Sequence, residues 1–263
     1  INLLQHRYKK SSISHSLRKA LSNGEIKVFY QPKIEAGSTR VVGAEALVRW
    51  RREDGSQLPP SMFLPIYEDN GKIVELDFYV FEEVARFLAK NKKLGRRQFP
   101  ISVNASVLHA ENEHTVDRYM KILEKYDVDP SLVEIELTET ATLSDYDNVQ
   151  ELFHKLREKH IRTSVDDFGA GYSMLNMLVD VQVDSLKIDR TIITSCLKSE
   201  RGIQFFTNML SMIEQLGYHV ICEGVETEEQ AKMLQKAGCE EAQGYLFSAP
   251  QPISEYEKLV YAR

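Results

Sequence analysis

Strand-like and helix-like segments alternate along most of the 263 residues, which predicts an α/β fold closed into a (β/α)8 TIM-type barrel. Three observations carry this expectation. Eight strand-like runs fall near 27–34, 41–50, 100–105, 133–138, 161–166, 184–189, 218–223 and 241–246. Helical periodicity fills most of the gaps between them. The length suits one large core, and single barrels often reach this size. An open doubly wound sheet is the competing architecture, but no Gly-x-Gly-x-x-Gly turn supports its usual nucleotide site.

Taken in order, residues 1–24 mix polar and basic residues with spaced apolar ones, and 12–21 read as a helix stopped by Asn23-Gly24. This helix is expected to be a linker from an upstream domain, with the barrel occupying 25–263. The first residue is Ile1 rather than Met, so the chain reads as a piece of a longer protein. The runs 27–34 and 41–50 flank Ala36-Gly37-Ser38 with no room for a helix, which predicts a hairpin. The second run contains Gly43-Ala44-Glu45-Ala46-Leu47-Val48-Arg49-Trp50, whose period of two puts Glu45, Leu47 and Arg49 on one face. Helices are expected near 60–68, 74–93, 115–126, 147–159, 202–216, 227–237 and 253–261, with a shorter one around 173–179.

Composition narrows the function. A net charge of -6 with no basic block gives little support for binding a nucleic acid polymer. An acidic protein can still bind phosphates when metal ions sit between the two. Cys196, Cys222 and Cys239 form no Cys-x-x-Cys pair, and their odd number argues against a disulfide framework. A reducing, cytoplasmic location is expected. No apolar run approaches a membrane span and no signal peptide is visible.

In a (β/α)8 barrel the chemistry sits at the C-terminal ends of the strands. Those ends carry Glu45, Asn104, Glu136 and Glu139, Asp166-Asp167, Lys187, Glu223 and Glu226, and Gln243. So many carboxylates at one mouth repel unless cations neutralise them. Oxygen-only ligands without histidine favour Mg²⁺ or Mn²⁺ over zinc. Two adjacent aspartates can serve two ions, and paired metals roughly 3.5–4 Å apart suit in-line attack on a phosphodiester. Each residue has a blander role available. Glu134, Glu136 and Glu139 could form a polar strand face, Asp166-Asp167 a loop start and helix cap, and Asn104 a turn. Lys187 could pair an aspartate structurally, and the seven histidines show no ligand pattern, reading as surface or packing residues.

Together these motifs resemble the EAL-domain family, phosphodiesterases that hydrolyse the bacterial second messenger cyclic di-GMP. The resemblance runs from Phe29-Tyr30-Gln31-Pro32 through Glu45-Ala46-Leu47 to Gln243-Gly244-Tyr245-Leu246-Phe247-Ser248-Ala249-Pro250. It implies a modified barrel with one antiparallel strand, the first. It also implies that Glu45, Asn104, Glu136 and Asp166 hold one metal, and Asp166, Asp167 and Glu223 a second, with Asp166 bridging. Lys187 is similar to the family lysine that contacts the attacking water. Glu226 matches the second acid of the Glu-Gly-Val-Glu motif, behind the ligands. Leu47 and Arg49 are similar to the residues that meet a guanine and a phosphate, and Gln31 and Gln243 join them at the substrate. Residues 168–175 correspond to a mobile loop tied to substrate binding and dimerisation, anchored by Glu139. Ala105, Ala170, Met174 and Cys222 depart from the residues usual at their positions, and none removes a ligand.

The resemblance therefore implies a metal-dependent phosphodiesterase with two Mg²⁺ or Mn²⁺ ions, working as a homodimer behind an upstream sensory or GGDEF-type domain. Water activated by both metals would attack phosphorus, and no covalent intermediate is expected. The alternative is a catalytically silent cyclic di-GMP receptor. A barrel lyase using Lys187 as a Schiff base, or an enolising enzyme with one Mg²⁺, would leave Asn104 and the second aspartate unexplained.

Overall fold

A computed structural model of the chain describes residues 13–169 and 178–261. Helix α1 covers 13–22, followed by the long hairpin of β1 (Ile26–Glu35) and β2 (Val41–Arg51) and the short β3 (Gln57–Leu58). Helices α2 (Pro60–Asp69) and α3 (Ile73–Lys93) lead to β4 (Ile101–Asn104) and α4 (Thr115–Tyr126). Strand β5 (Val133–Thr138) runs into α5 (Glu139–Ser144) and α6 (Tyr146–Glu158), then β6 (Arg162–Phe168). The remainder is β7 (Ser185–Ile188), α7 (Arg190–Cys196), α8 (Glu200–Gln215), β8 (His219–Cys222), α9 (Glu228–Lys236), β9 (Glu241–Ala242), β10 (Gln251–Pro252) and α10 (Ile253–Tyr261).

The sheet closes in the order β1-β9-β8-β7-β6-β5-β4-β2 and back to β1, with β10 and β3 attached at its margins. Every ring pairing from β2 round to β9 is parallel, whereas β1 is antiparallel to both β2 and β9. The expected barrel with one antiparallel strand is therefore present. It forms because residues 36–40, which join β1 to β2, are too few for a crossover helix, so the two strands pair as an antiparallel hairpin.

Strand alternation explains where the site can be. Ile101, Val103, Val133, Ile135, Leu137, Val165, Leu186, Ile188 and Val220 belong to the main apolar core, beneath the helices. The positions between them, Ser102, Asn104, Glu134, Glu136, Ser164, Asp166, Ser185 and Lys187, project to the opposite face, the barrel axis. Barrel interiors are usually filled by branched apolar residues. Here serines leave room for long charged side chains, so the axis is ionic and the apolar core lies outside it. Tight caps fix the strand-to-helix turns: Thr138 accepts from Ala141 N at 3.2 Å, Asp189 from Thr191 N at 2.8 Å, and Thr227 with Gln230 forms a capping box.

Some expectations are corrected. The run expected as a strand at 241–246 pairs only through Ala242, because Gly244–Phe247 turns back on itself and Leu246 N bonds Val225 O at 3.0 Å. Helices α5 and α7 were not anticipated, each being a short run after a strand. Helix α1 packs onto the barrel: Ile13, Leu17 and Ala20 share a second apolar cluster with Trp50, Leu58, Phe63 and Tyr67. Ser12, most of the 168–175 loop and most of the helix expected at 173–179 lie outside the described residues. His109 is a packing residue, buried with a ring nitrogen 3.0 Å from Asp77 Oδ2. Among the described residues no helix is long and apolar enough to cross a membrane.

At the opposite end of the barrel, His219 lies 2.6 Å from Glu240 and 3.0 Å from Glu241. Its bond to Glu241, aided by both carboxylate charges, raises its pKa above 6.5. A raised histidine pKa stabilises the fold fully below the unfolded value and loses that contribution as pH climbs through the folded value. His219→Gln should therefore lower the melting temperature at pH 6, with the gap from wild type closing by pH 9. A gap that stays constant with pH would contradict the assignment.

Candidate active site

Lys187 is the hub. Its side chain is 0% exposed and its Nζ lies 2.7 Å from Glu223, 2.8 Å from Glu136, 3.2 Å from Asp166 and 3.4 Å from Glu45. These carboxylates come from four different strand ends, as the barrel register demands. Asn104 donates to Glu45 Oε1 at 2.8 Å, and Gln243 donates to Glu45 Oε2 at 2.6 Å and to Gln31 Oε1 at 3.1 Å. Gln31 in turn donates to Ser248 O at 3.0 Å. The mouth thus has both Glu45 oxygens held by amides before any ligand arrives.

Burial and charge oppose each other at these groups. Burial pushes Glu223 up to about 8, despite the neighbouring Lys187. Burial also raises Glu45 and Asp166. Glu136 is equally buried, but Lys187 and Lys33 on either side hold it down at about 2. Lys187 stays charged because burial, which lowers its pKa, is outweighed by Asp166, Glu136, Glu223 and Glu45.

The remaining expected residues occupy the rim. Glu139 is buried and accepts from Gly169 N at 2.8 Å, tying the start of the following loop to α5. Asp167 is exposed, in a left-handed backbone conformation (φ 56°), and its amide bonds Asp166 Oδ1 at 2.8 Å. Glu226 is gripped by both terminal nitrogens of Arg190 rather than facing Lys187. The Arg49 guanidinium donates to Val48 O at 2.8 Å and sits 5.8 Å from the Phe29 ring centre. Two recesses flank the cluster. One of about 270 Å³ is lined by Gln31, Leu47, Arg190, Glu226 and Tyr245, the other of about 350 Å³ by Leu47, Arg49, Pro60, Asp77 and Asn104; both reach Glu45.

Two glycines set this geometry. Gly224 has φ +66°, and a Cβ there would meet the Arg190 stem at 2.6 Å. Gly244 lies against the Val225 backbone, where a Cβ would overlap the carbonyl and amide. Gly244→Ala should cost about 1–3 kcal/mol of stability by overpacking and displace the adjacent Gln243. Denaturant titration measures the first effect; unchanged stability would mean that the segment has room to shift.

Sequence reasoning missed Lys33, Ser185 and Arg190, and treated Glu134 only as a strand-face residue. Lys33 Nζ lies 3.3 Å from Glu134 and 3.1 Å from Glu136, and Ser185 Oγ bonds Glu134. The usable signal was period two on β1, which places Gln31 and Lys33 on one face.

The donor set suits divalent cations. Oxygens of Glu45, Glu136 and Asp166 lie within 4.8 Å of one another. Glu223 Oε1 is buried and, among the described residues, has no partner besides the Lys187 ammonium 2.7 Å away. Glu45, Glu134, Glu136, Asp166, Asp167 and Glu223 bring six negative charges when ionised, against two positive from Lys33 and Lys187. The lining is left at minus four, which two divalent ions would balance. All donors are oxygens, the preference of Mg²⁺ and Mn²⁺.

Comparison with known proteins follows the same line. The EAL domain family model matches residues 14–250. The cyclic di-GMP phosphodiesterase NbdA of Pseudomonas aeruginosa is 33% identical over 99% of this chain, which spans 33% of NbdA. RocR, a cyclic di-GMP phosphodiesterase of the same organism, is 32% identical over 90% of the chain, which spans 60% of RocR. The chain thus spans only part of the curated relatives it matches. The solved PaMucR phosphodiesterase in complex with c-di-GMP superposes with a TM-score of 0.85 at 31% identity, covering 93% of this chain and 99% of that one.

Proposed function

Because this chain belongs to the EAL domain family, we propose that it hydrolyses cyclic di-GMP to linear pGpG at the barrel mouth, using two Mg²⁺ or Mn²⁺ ions. The observation that carries the reading is the ring of four carboxylates around Lys187, with its surplus of negative charge. Glu45, Asn104, Glu136 and Asp166 would hold one ion, and Asp166, Asp167 and Glu223 the other. Bound there, the ions would make water acidic enough to ionise near neutrality and would offset charge on the phosphodiester.

The chain's own residues supply the rest. Lys187 orients the attacking water with an N–H and keeps the carboxylates convergent. Gln243 and Asn104 fix Glu45, so the ligand does not rotate as substrate enters. Gln31 and Leu47 line a recess beside the cluster and receive one guanine. Arg49 exchanges its bond to Val48 O for a phosphate oxygen. Hydrolysis adds one water across one diester: the bond from phosphorus to the 3′ oxygen breaks, that oxygen takes a proton, and a 5′-phosphate remains. Glu226, held by Arg190, shapes the recess wall, and Glu139 anchors the loop after β6.

Arg49→Ala should lower kcat/KM for cyclic di-GMP about 10–100-fold, mainly through KM, because one charge-assisted bond is removed. Steady-state kinetics check it, and a change confined to kcat would reassign the residue. The reading also includes a sensory or GGDEF-type domain upstream, a homodimer and a cytoplasmic setting, in keeping with relatives longer than this chain. Incubation with cyclic di-GMP and Mn²⁺ tests the function: pGpG should accumulate and cease with EDTA. Substrate that survives saturating metal would count against the enzyme.

A further inference from the structure

The proposed chemistry uses one of the two lysines on the barrel axis. The other, Lys33, is 3% exposed and comes from β1, the antiparallel strand. Its Nζ lies 3.1 Å from Glu136 Oε1, while Lys187 takes Oε2 of the same carboxylate at 2.8 Å. Glu136 is therefore gripped by one ammonium on each oxygen. Lys33 also lies 3.3 Å from Glu134, whose other oxygen is bonded by Ser185. Without that cation Glu134 and Glu136, two residues apart on one strand, would face each other as buried like charges.

We propose that Lys33 is a positioning residue for the metal site: it pins Oε1 of Glu136 toward the lower barrel so that Oε2 alone is presented to the mouth. The inference rests on the metal reading above. A glutamate has several rotatable bonds, and an unclamped carboxylate must be ordered each time a cation binds. Partners behind a ligand of this kind are worth about 10–100-fold in metal affinity.

The test is calorimetric titration of Mn²⁺ into wild type, Lys33→Met, Lys33→Arg and the double variant Lys33→Met/Glu134→Gln, with melting temperatures measured without metal. The double variant removes one charge of each sign, so its fold survives even if Lys33→Met does not. It should melt near wild type and bind Mn²⁺ 10–100-fold more weakly, whereas Lys33→Arg should retain most of the affinity. Wild-type affinity in the double variant would overturn the inference while leaving the metal site standing, since Lys33 would then merely neutralise Glu134. A loss in Lys33→Arg equal to that in the double variant would also overturn it, by tracing the effect to packing. If wild type itself binds no Mn²⁺, the metal reading falls and the inference with it.

Discussion

Asp166→Asn should reduce turnover of cyclic di-GMP by about three orders of magnitude or more while leaving the fold intact. On the proposed reading Asp166 would bridge two cations, and it lies 3.2 Å from Lys187. Losing a metal's contribution costs several kcal/mol of transition-state stabilisation, and each 1.4 kcal/mol is tenfold in rate. Stability should move the other way. Burial already raises the Asp166 pKa, so its charge is a cost to the metal-free fold, and an isosteric amide relieves it. The metal-free variant should melt at or above wild type, and added Mn²⁺ should stabilise it less than wild type. Retained turnover in Asp166→Asn would contradict the assignment of this residue as a ligand.

Lys187→Met should affect stability and rate together. Its ammonium is the single cation within 4 Å of Glu45, Asp166 and Glu223 among the described residues, and removing it strands buried carboxylates. Removing one partner of a buried ion pair typically costs about 3–5 kcal/mol. The stranded groups respond by taking up protons, so the destabilisation should be large at pH 8 and shrink as the pH falls toward 5. Added divalent metal should restore part of the loss, since cations replace the missing charge. Turnover should stay down about 10²–10³-fold even in the metal-loaded variant, the usual effect of deleting one donor at a charged reacting centre. Denaturant melts across pH with and without Mn²⁺ separate the two effects. A variant as stable as wild type at pH 8 without metal would mean that Lys187 carries no structural charge.

The acids at the strand ends were legible because apolar and polar residues alternate on β5, on β7 and through Ser164-Val165-Asp166 of β6, and barrel topology brings those ends to one mouth. Glu45, Glu136, Asp166 and Glu223 accordingly meet around Lys187. Lys33 shares the Gln31 face by period two, but which way that face turns was not legible, for a physical reason. A lysine on a strand read as half of a hairpin is usually solvated, and only closure of β1 between β2 and β9 turns it to the axis. The run at 241–246 misled because Tyr245-Leu246-Phe247 has strand-like composition, yet contact between Gly244 and the Val225 backbone bends the chain into a turn. The apolar spacing in 12–21 announced a helix, but Trp50, Phe63 and Tyr67, which receive it, are distant in sequence and could not be assigned to it. The Arg190–Glu226 pair joins the first residue of α7 to the loop after β8, which neither local pattern connects.

The central claim is that the carboxylate ring around Lys187 is a metal-loaded hydrolytic site rather than a silent receptor. The most direct measurement follows cyclic di-GMP binding and pGpG release in parallel for wild type and Glu45→Ala, each with Mn²⁺ or Mg²⁺. The account predicts metal-dependent pGpG from wild type and none above background from Glu45→Ala, although that variant still binds the cyclic dinucleotide. Tight binding by wild type with no pGpG at saturating metal would contradict it.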